Sequence, residues 1–296
     1  MDRLDVIATF VAVVDGKSFA AAARKLARSP AAVTRAIAAL EARLGTRLLN
    51  RTTRSVSLTD VGRQYYAGAR RLLDDYQQTE LIAAGTLAAP KGVLQITAPT
   101  VFGRLHVLPV ATDFLTAHPQ VDIRLLLTDR VISLVEEGID LAVRIGELPD
   151  SSLVARRVGE VRSVVCASRH YLKRRGTPQR PADLARHDAV IFSGLPSGDR
   201  WVFRRKRREI AVTVRPRLVI NGAEAAMDAA AAGLGVARVL SYQLHPRIAA
   251  GTLVPILEAW DDRIEPIHLV VPAGRHMAAK VRAFIDLAAK VLPSRL

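Results

Sequence analysis

The sequence predicts an N-terminal winged helix-turn-helix carried on into one long helix, followed by an α/β region of parallel strands and helices. Three observations predict this order. Three apolar stripes at helical spacing fall within the first 45 residues. Two short strand-like runs then bracket Thr52-Thr53-Arg54, ahead of a long heptad-like stretch. Beyond Pro90, apolar runs of strand length alternate with helical ones.

Leu4, Ile7, Val11 and Val14 recur at helical spacing, predicting a first helix that ends near Gly16. Ser18 is placed to cap a second, with Phe19, Ala22, Ala23 and Leu26 facing inward. Arg28 and Ser29 form the turn. Ser29 caps a third helix whose first position is Pro30, where a missing N–H costs nothing. Val33, Ile37, Leu40 and Leu44 make the apolar stripe of this helix, and Ala31, Thr34, Arg35 and Ala38 the opposite one. A helix enters the major groove only if its leading face does not hold the backbone away from the bases, which explains small side chains there. Arg35 can reach a guanine edge or a phosphate, Thr34 a base or a phosphate, and Ala31 can pack on a thymine methyl. A plain three-helix bundle accounts for the helical pattern equally well.

The next stretch of chain favours the DNA-binding alternative. Leu48-Leu49-Asn50-Arg51 and Ser55-Val56-Ser57-Leu58 read as two strands of a wing, with Arg51, Thr53 and Arg54 placed to meet phosphates or the adjacent minor groove. Thr59 or Asp60 then caps a helix running to about Leu87. Tyr65, Ala69, Leu72, Tyr76, Thr79, Ala83 and Thr86 alternate in steps of four and three along it, a weak self-pairing seam that predicts a dimer reading two half-sites.

A chain of 296 residues is long enough for two or three domains, and half its residues are hydrophobic, so it can build real cores. No apolar stretch reaches the ~18 residues of a membrane span, so no membrane partner is expected. The start Met1-Asp2-Arg3-Leu4-Asp5 leads into no secretory cleavage pattern, and Cys166 is the single cysteine; both favour the cytoplasm. The net charge of +15 favours an acidic partner, nucleic acid first. Charge does not locate the contact, however. Residues 1–90 hold 13 Lys and Arg against 8 acids, whereas residues 150–217 hold 17 against 6. The run Arg204 to Arg208 lies between two strand-like segments and reads as a solvated hairpin tip.

In the C-terminal part, strands are predicted at Val93–Ala98, Val121–Leu127, Ile139–Ile145, Val161–Cys166, Ala189–Phe192, Leu218–Ile220, Gly235–Leu240 and Ile267–Val271. Helices are predicted at Phe102–His118, Val131–Glu137, Ala223–Ala232 and His276–Leu292. Parallel sheets of this kind bind ligands beyond the carboxyl ends of their strands. Those ends offer Thr100, Thr128, Arg144, Gly146, Phe192, Asn221 and Ala223. Thr100 and Ala223 also open helices, where free N–H groups attract an anion. Each has an ordinary alternative: Thr100 as a helix cap, Asn221 as a turn residue, Arg144 as the partner of Asp129. Cys166 lies in an apolar strand and is expected to be buried and inert. No metal-ligand spacing, phosphate loop or nucleophile elbow is present, so neither a cofactor nor a catalytic group is expected.

Three motifs together carry a family resemblance. They are Ser18-Phe19-x-x-Ala22-Ala23-x-x-Leu26, Ser29-x-x-Ala32-Val33-Thr34-Arg35-x-Ile37-x-x-Leu40-Glu41-x-x-Leu44-Gly45, and Leu48-x-x-Arg51-Thr52-Thr53-Arg54 with Leu58-Thr59-x-x-Gly62. With these the chain resembles the LysR-type transcriptional regulators over residues 3–66. The likeness continues more loosely through Asp140 to Gly146 and Gly233 to Val236. Pro30 stands where many relatives carry a glutamine able to bond a base, and Leu49 where a phenylalanine is usual.

The resemblance implies a DNA-binding domain at 1–59, a dimerising linker helix at 60–90, and an effector domain of type II periplasmic-binding-protein kind at 91–296. That last domain would have one subdomain at about 92–162 plus 267–296 and a second at about 163–266, with a small-molecule effector between them. The implied partners are double-stranded promoter DNA, contacted by Ser18, Ser29, Pro30, Ala31, Thr34, Arg35, Arg51, Thr53 and Arg54, and further copies of the chain as a homodimer or a dimer of dimers. The donors collected at the strand ends outnumber the acceptors, which favours an anionic effector. A cytoplasmic solute-binding protein and a non-specific architectural DNA-binding protein are the competing readings.

Overall fold

The computed structural model describes residues 2–51, 56–83, 89–148, 153–205, 208–261, 263–273 and 277–295. The chain forms two compact units. One is Met1–Gly92 with Ile132–Asp140 and Gly274–Arg282; the other is Val93–Val131 with Leu141–Ala273 and Ala283–Leu296.

In the first unit, α1 (Arg3–Asp15), α2 (Phe19–Lys25) and α3 (Pro30–Leu44) precede a two-stranded wing, β1 (Leu49–Arg51) and β2 (Val56–Leu58), and a long helix, α4 (Asp60–Ala83). The Ser18 hydroxyl accepts from the Ala21 N–H at 3.3 Å and that of Ser29 from the Ala32 N–H at 3.2 Å, so both predicted caps form. Phe10, Ala22, Val33, Ile37, Leu40, Leu48 and Leu49 make a shared core. Ala36 is buried beside them, whereas Leu44 is exposed, because the helix ends there against Gly45 in the left-handed region (φ +66°). Thr59, not Asp60, caps α4: its hydroxyl accepts from the Gly62 N–H at 2.9 Å.

The predicted self-pairing seam of α4 divides. Tyr65 stacks edge-on against Phe10 with ring centroids 5.4 Å apart, and Ala69 is buried in the same core. These two positions therefore serve packing within the unit, because α4 lies against α1. Leu72 and Tyr76 remain exposed. The last predicted turn, including Thr86, lies outside the described residues.

The second unit carries one nine-stranded sheet with β12 off its main path. β3 (Gly92–Ala98) leads into a helical stretch of three parts: α5 (Thr100–Phe102), a π-helical turn Gly103–Val107, and α6 (Leu108–Ala117). Then come β4 (Val121–Leu127), β5 (Leu141–Ile145), the long β6 (Leu153–Ala167), α7 (Arg169–Arg175), a 3-10 turn Pro181–Arg186 and β7 (Asp188–Phe192). The hairpin β8 (Arg200–Arg205) and β9 (Arg208–Thr213) precedes β10 (Arg215–Ile220), α8 (Ala223–Ala231), β11 (Val236–Leu240) and α9 (Ser241–Ala249). β12 (Val254–Ile256), β13 (Ile264–Pro272) and α10 (Ala279–Val291) complete the order.

Sheet order is β10-β7-β11-β6-β13-β5-β3-β4. The pairs β3/β5, β7/β10 and β7/β11 are parallel, as expected, but β6 and β13 run antiparallel to their neighbours. The sheet is mixed because β6 and β13 cross between its two halves: β6 pairs with β13 up to Arg162 and with β11 from Ser163. Tyr171, Leu184, Ile191, Trp201, Phe203 and Val236 pack the core on the β7 side. The helix expected over Val131–Glu137 is absent; Leu134–Gly138 are turns and Val131 is 84% exposed. Of the four apolar side chains in this seven-residue stretch only Leu134 is buried, and Val131 and Val135 are exposed, too little packing to hold so short a helix. The structure adds two helices that the sequence pattern does not predict, α7 and α9; both are too short for an apolar period to stand out. Among the described residues no helix is long and apolar enough to cross a membrane.

Candidate nucleic-acid interface and ligand cleft

The outer face of α3 is open. Ala31, Thr34, Arg35 and Ala38 are all exposed, together with Ser29 and Pro30 at its start. The Thr34 hydroxyl donates to the Pro30 carbonyl at 3.0 Å, leaving its lone pairs to accept outward. Arg35 has no hydrogen-bond or ion-pair partner among the described residues, so its five donors point into water. Behind this face the turn is tied down: the Arg28 guanidinium donates to the Thr9 hydroxyl at 3.1 Å and pairs with Asp5 at 3.1 Å. The turn contains Ala27 at φ +49°.

Glu41, on the inner side of α3, positions the wing. Its carboxylate accepts from the Leu48 N–H at 2.9 Å and the Leu49 N–H at 3.1 Å, so α3 is hydrogen-bonded directly to the start of the wing. The Thr59 hydroxyl donates to the Arg47 carbonyl at 2.8 Å, tying the wing's base to α4. Arg51 ends β1; Thr53 and Arg54 lie outside the described residues.

The predicted ligand residues gather in two sets. In the first, the Thr128 N–H donates to the Ala98 carbonyl at 2.9 Å, which brings the end of β4 beside Thr100. Arg144 lies on β5, the neighbour of β3, and Gly146 directly follows that strand, its N–H bonded to the Pro266 carbonyl at 2.9 Å. Thr100 is exposed, Thr128 half-buried, and burial lowers the pKa of the half-buried Arg144 guanidinium. In the second set, the Ser193 N–H donates to the Ile220 carbonyl at 2.9 Å, so Phe192 and Asn221 stand at adjacent strand ends, with Ala223 opening α8. Phe192 and Ala223 are buried and Asn221 is exposed.

Two features go beyond the sequence expectations. The Thr100 N–H, expected to be free for an anion, donates to the Asp129 carboxylate at 3.1 Å. The two sets are joined by Arg104, one turn past Thr100, which binds Glu224 in the first turn of α8 at 2.7 Å. The Thr100 helix start thus already has a carboxylate of the chain's own, whereas α8 has no side-chain cap and its Glu224 is spent on Arg104. A second link joins the same halves: Phe102 and His106 pack edge-on against Tyr242 of α9, with centroids 5.4 and 5.6 Å apart. The one available signal for Arg104 was its place one helical turn after a strand-end threonine. Nothing in the sequence pointed to Tyr242, because the helix that carries it is short.

A hollow lined by Arg162, Ser163, Phe203, Leu257 and Asp261 involves none of the predicted residues. Cys166 is fully buried and its thiol pKa is pushed up to about 12 by that burial, which removes it from thiolate chemistry.

Two family models match the chain: "Bacterial regulatory helix-turn-helix protein, lysR family" over residues 4–63 and "LysR substrate binding domain" over residues 88–293. Among curated proteins, the chain is 32% identical to the probable HTH-type transcriptional regulator LtrA of Klebsiella pneumoniae, over 99% of this chain and 96% of that protein. It is 34% identical to the HTH-type transcriptional regulator CrgA of Neisseria meningitidis, over 98% and 97% respectively. The solved structure of CrgA superposes with a TM-score of 0.61 at 31% identity, covering 97% of this chain and 98% of that one. A full-length AphB variant superposes with a TM-score of 0.63 at 28% identity, covering 97% and 98%.

Proposed function

Because the chain belongs to the LysR family, and is thus a transcriptional regulator with a helix-turn-helix and a substrate-binding domain, we propose that it reads its promoter chiefly through Arg35. The observation that carries this is the exposed, unpartnered Arg35 guanidinium on an otherwise small outer face of α3. Ala31 and Thr34 lie on the same face and complete the base contacts, while Ser18, Ser29 and Pro30 shape the helix starts next to the backbone. Arg51, Thr53 and Arg54 of the wing contact phosphate or the minor groove. A homodimer presents two such faces to two half-sites, and two dimers assemble further; the cytoplasm, where the promoter lies, is where it works.

The ligand is a small organic anion held at the strand ends around Thr100, Thr128, Arg144, Gly146, Phe192, Asn221 and Ala223. The half-buried Arg144 guanidinium at these strand ends supports this; the Thr100 N–H and Arg104 already hold Asp129 and Glu224, which an anionic effector has to displace.

Gel-shift titration tests the DNA reading on an operator selected from random duplexes. Arg35→Ala is expected to weaken that operator by about 1–3 kcal/mol and unrelated DNA much less. Equal weakening of both would make Arg35 a phosphate contact and remove it from base readout.

A further inference from the structure

The helix-turn-helix absorbs little of the chain's charge; most of it sits elsewhere. Residues 169–188 together with Arg215 and Arg217 hold eight Lys and Arg against Asp183 and Asp188. The fold brings these onto one region. The Tyr171 hydroxyl accepts from the Asp188 N–H at 3.0 Å and contacts the His187 ring at 3.2 Å, fixing α7 over the start of β7. Arg175 donates to the Arg186 carbonyl at 3.0 Å, and Arg174 to the Gly233 carbonyl at 3.1 Å. β10 runs beside β7, and its Arg217 and Arg215 pair with Asp188 at 3.4 and 3.7 Å. Asp183 pairs with Arg180 at 3.2 Å. The hairpin β8–β9 packs on the same 3-10 turn and contributes Glu209, itself paired with Arg204 at 2.7 Å. Every acid on these elements is therefore already matched.

Arg169, Lys173 and the Arg186 side chain are exposed and have no partner among the described residues. The apolar side chains of the same stretch, Tyr171, Leu172 and Leu184, are buried. A membrane-surface helix would need exposed apolar residues to insert, and a protein interface would need aromatic or aliphatic anchors. Among the large apolar side chains described on α7, the 3-10 turn, β7 and β10, Val219 of β10 alone is exposed, too little for such an anchor, and a surface of spaced cations fits a regular polyanion instead.

We propose that this face, formed by α7 and the starts of β7 and β10, binds the phosphate backbone of duplex DNA flanking the operator. The proposal rests on the regulator reading. Once the helix-turn-helix holds its site, flanking duplex is present at high effective concentration, so contacts too weak to act alone add to affinity.

The test compares a minimal operator with the same operator extended by several helical turns on both sides, titrated by the full chain over a range of salt. The wild type is expected to bind the extended duplex more tightly and with a steeper salt dependence. The triple variant Arg169→Gln/Lys173→Gln/Arg186→Gln, which removes no observed side-chain contact, is expected to lose about 2 to 3 units of slope on the extended duplex and none on the minimal one. The charge-preserving triple Arg169→Lys/Lys173→Arg/Arg186→Lys is expected to keep the full slope. Retained binding to the minimal operator shows that the helix-turn-helix is intact, separating failure here from failure of the regulator reading. An unchanged slope on the extended duplex overturns the proposal, as does an equal loss on both duplexes. Unaltered DNA binding with lost transcriptional output would likewise overturn it, by making the partner an acidic protein.

Discussion

Two backbone positions in the DNA-binding unit show how single residues limit it, and they act in opposite directions. A Cβ built on Gly62 would stand 2.0 Å from the Leu48 carbonyl oxygen, a backbone atom that cannot swing aside. The first turn of α4 touches the base of the wing there, so Gly62→Ala is expected to destabilise the unit by about 1–3 kcal/mol in denaturant titration. Ala27 has the converse problem, a side chain at φ +49° in the turn between α2 and α3. Left-handed backbone costs a non-glycine residue about 1–2 kcal/mol, partly offset by the unfolded-state entropy a glycine adds. Ala27→Gly should therefore stabilise by roughly 0.5 kcal/mol. A loss of stability in Ala27→Gly, or none in Gly62→Ala, would contradict these accounts. Glu41 belongs to the same scale: one carboxylate on two wing N–H groups turns separate elements into a single surface.

At the scale of elements, α4 has two tasks along its length. Its first half is tied to α1 through Tyr65 on Phe10, by Tyr66, whose hydroxyl bonds Asp15, and by Arg70, which donates to the Tyr66 hydroxyl at 3.0 Å and pairs with Asp15 at 3.7 Å. Beyond that point Leu72 and Tyr76, four residues apart on one face, are 47% and 46% exposed. An apolar i, i+4 pair gains most when another helix covers it, so the homodimer proposed above is expected to bury Leu72 and Tyr76. Leu72→Asp/Tyr76→Asp should shift the chain towards its 32.1 kDa monomer in light scattering, with the thermal melting of the first unit little changed. A variant that elutes with the wild type would move the interface elsewhere.

For the whole molecule, the two halves of the mixed sheet are joined by β6, β13, the Arg104–Glu224 pair and the aromatic group around Tyr242. Both charged partners are about half exposed, so their attraction contributes little by itself and an anion can compete with it. Thermal-shift screening of small organic acids should find stabilisers of the wild type, weakened in Thr100→Val and in Arg104→Gln. Stabilisation by neutral compounds alone would rule out an anionic effector.

The pH dependence of stability follows from two histidines. Burial, then the Arg295 charge, lowers the pKa of His106; burial, then Arg175, lowers that of His187 against smaller opposing effects of Asp183 and Asp188. A depressed histidine pKa means that the unfolded chain takes up protons first. Stability is then fully present above the unfolded value of about 6.5 and is lost as pH falls through the folded values. Denaturant midpoints should drop between about pH 7.5 and about pH 5, less so in His106→Gln; a flat profile would show that neither group is strained by protonation.

The sequence by itself determined the recognition unit almost completely. Caps at Ser18 and Ser29, Pro30 at a helix start, the Val33, Ile37 and Leu40 stripe and the exposed Arg35 all follow from local spacing, because helix capping and amphipathic period are set by residues three or four apart. Strand positions in the second unit were legible for the same reason: the expected Ala189–Phe192 and Gly235–Leu240 are found as Asp188–Phe192 and Val236–Leu240. What only the tertiary structure decided depends on partners far along the chain. The antiparallel course of β6 and β13, the use of Tyr65 and Ala69 for internal packing, and the absence of a helix after Val131 are set by what packs opposite each segment. The pairing of Arg104 with Glu224 spans 120 residues, and local pattern carries no record of such a contact. Asp129 on the Thr100 N–H is equally non-local: a strand end and a helix start meet only after the sheet has formed.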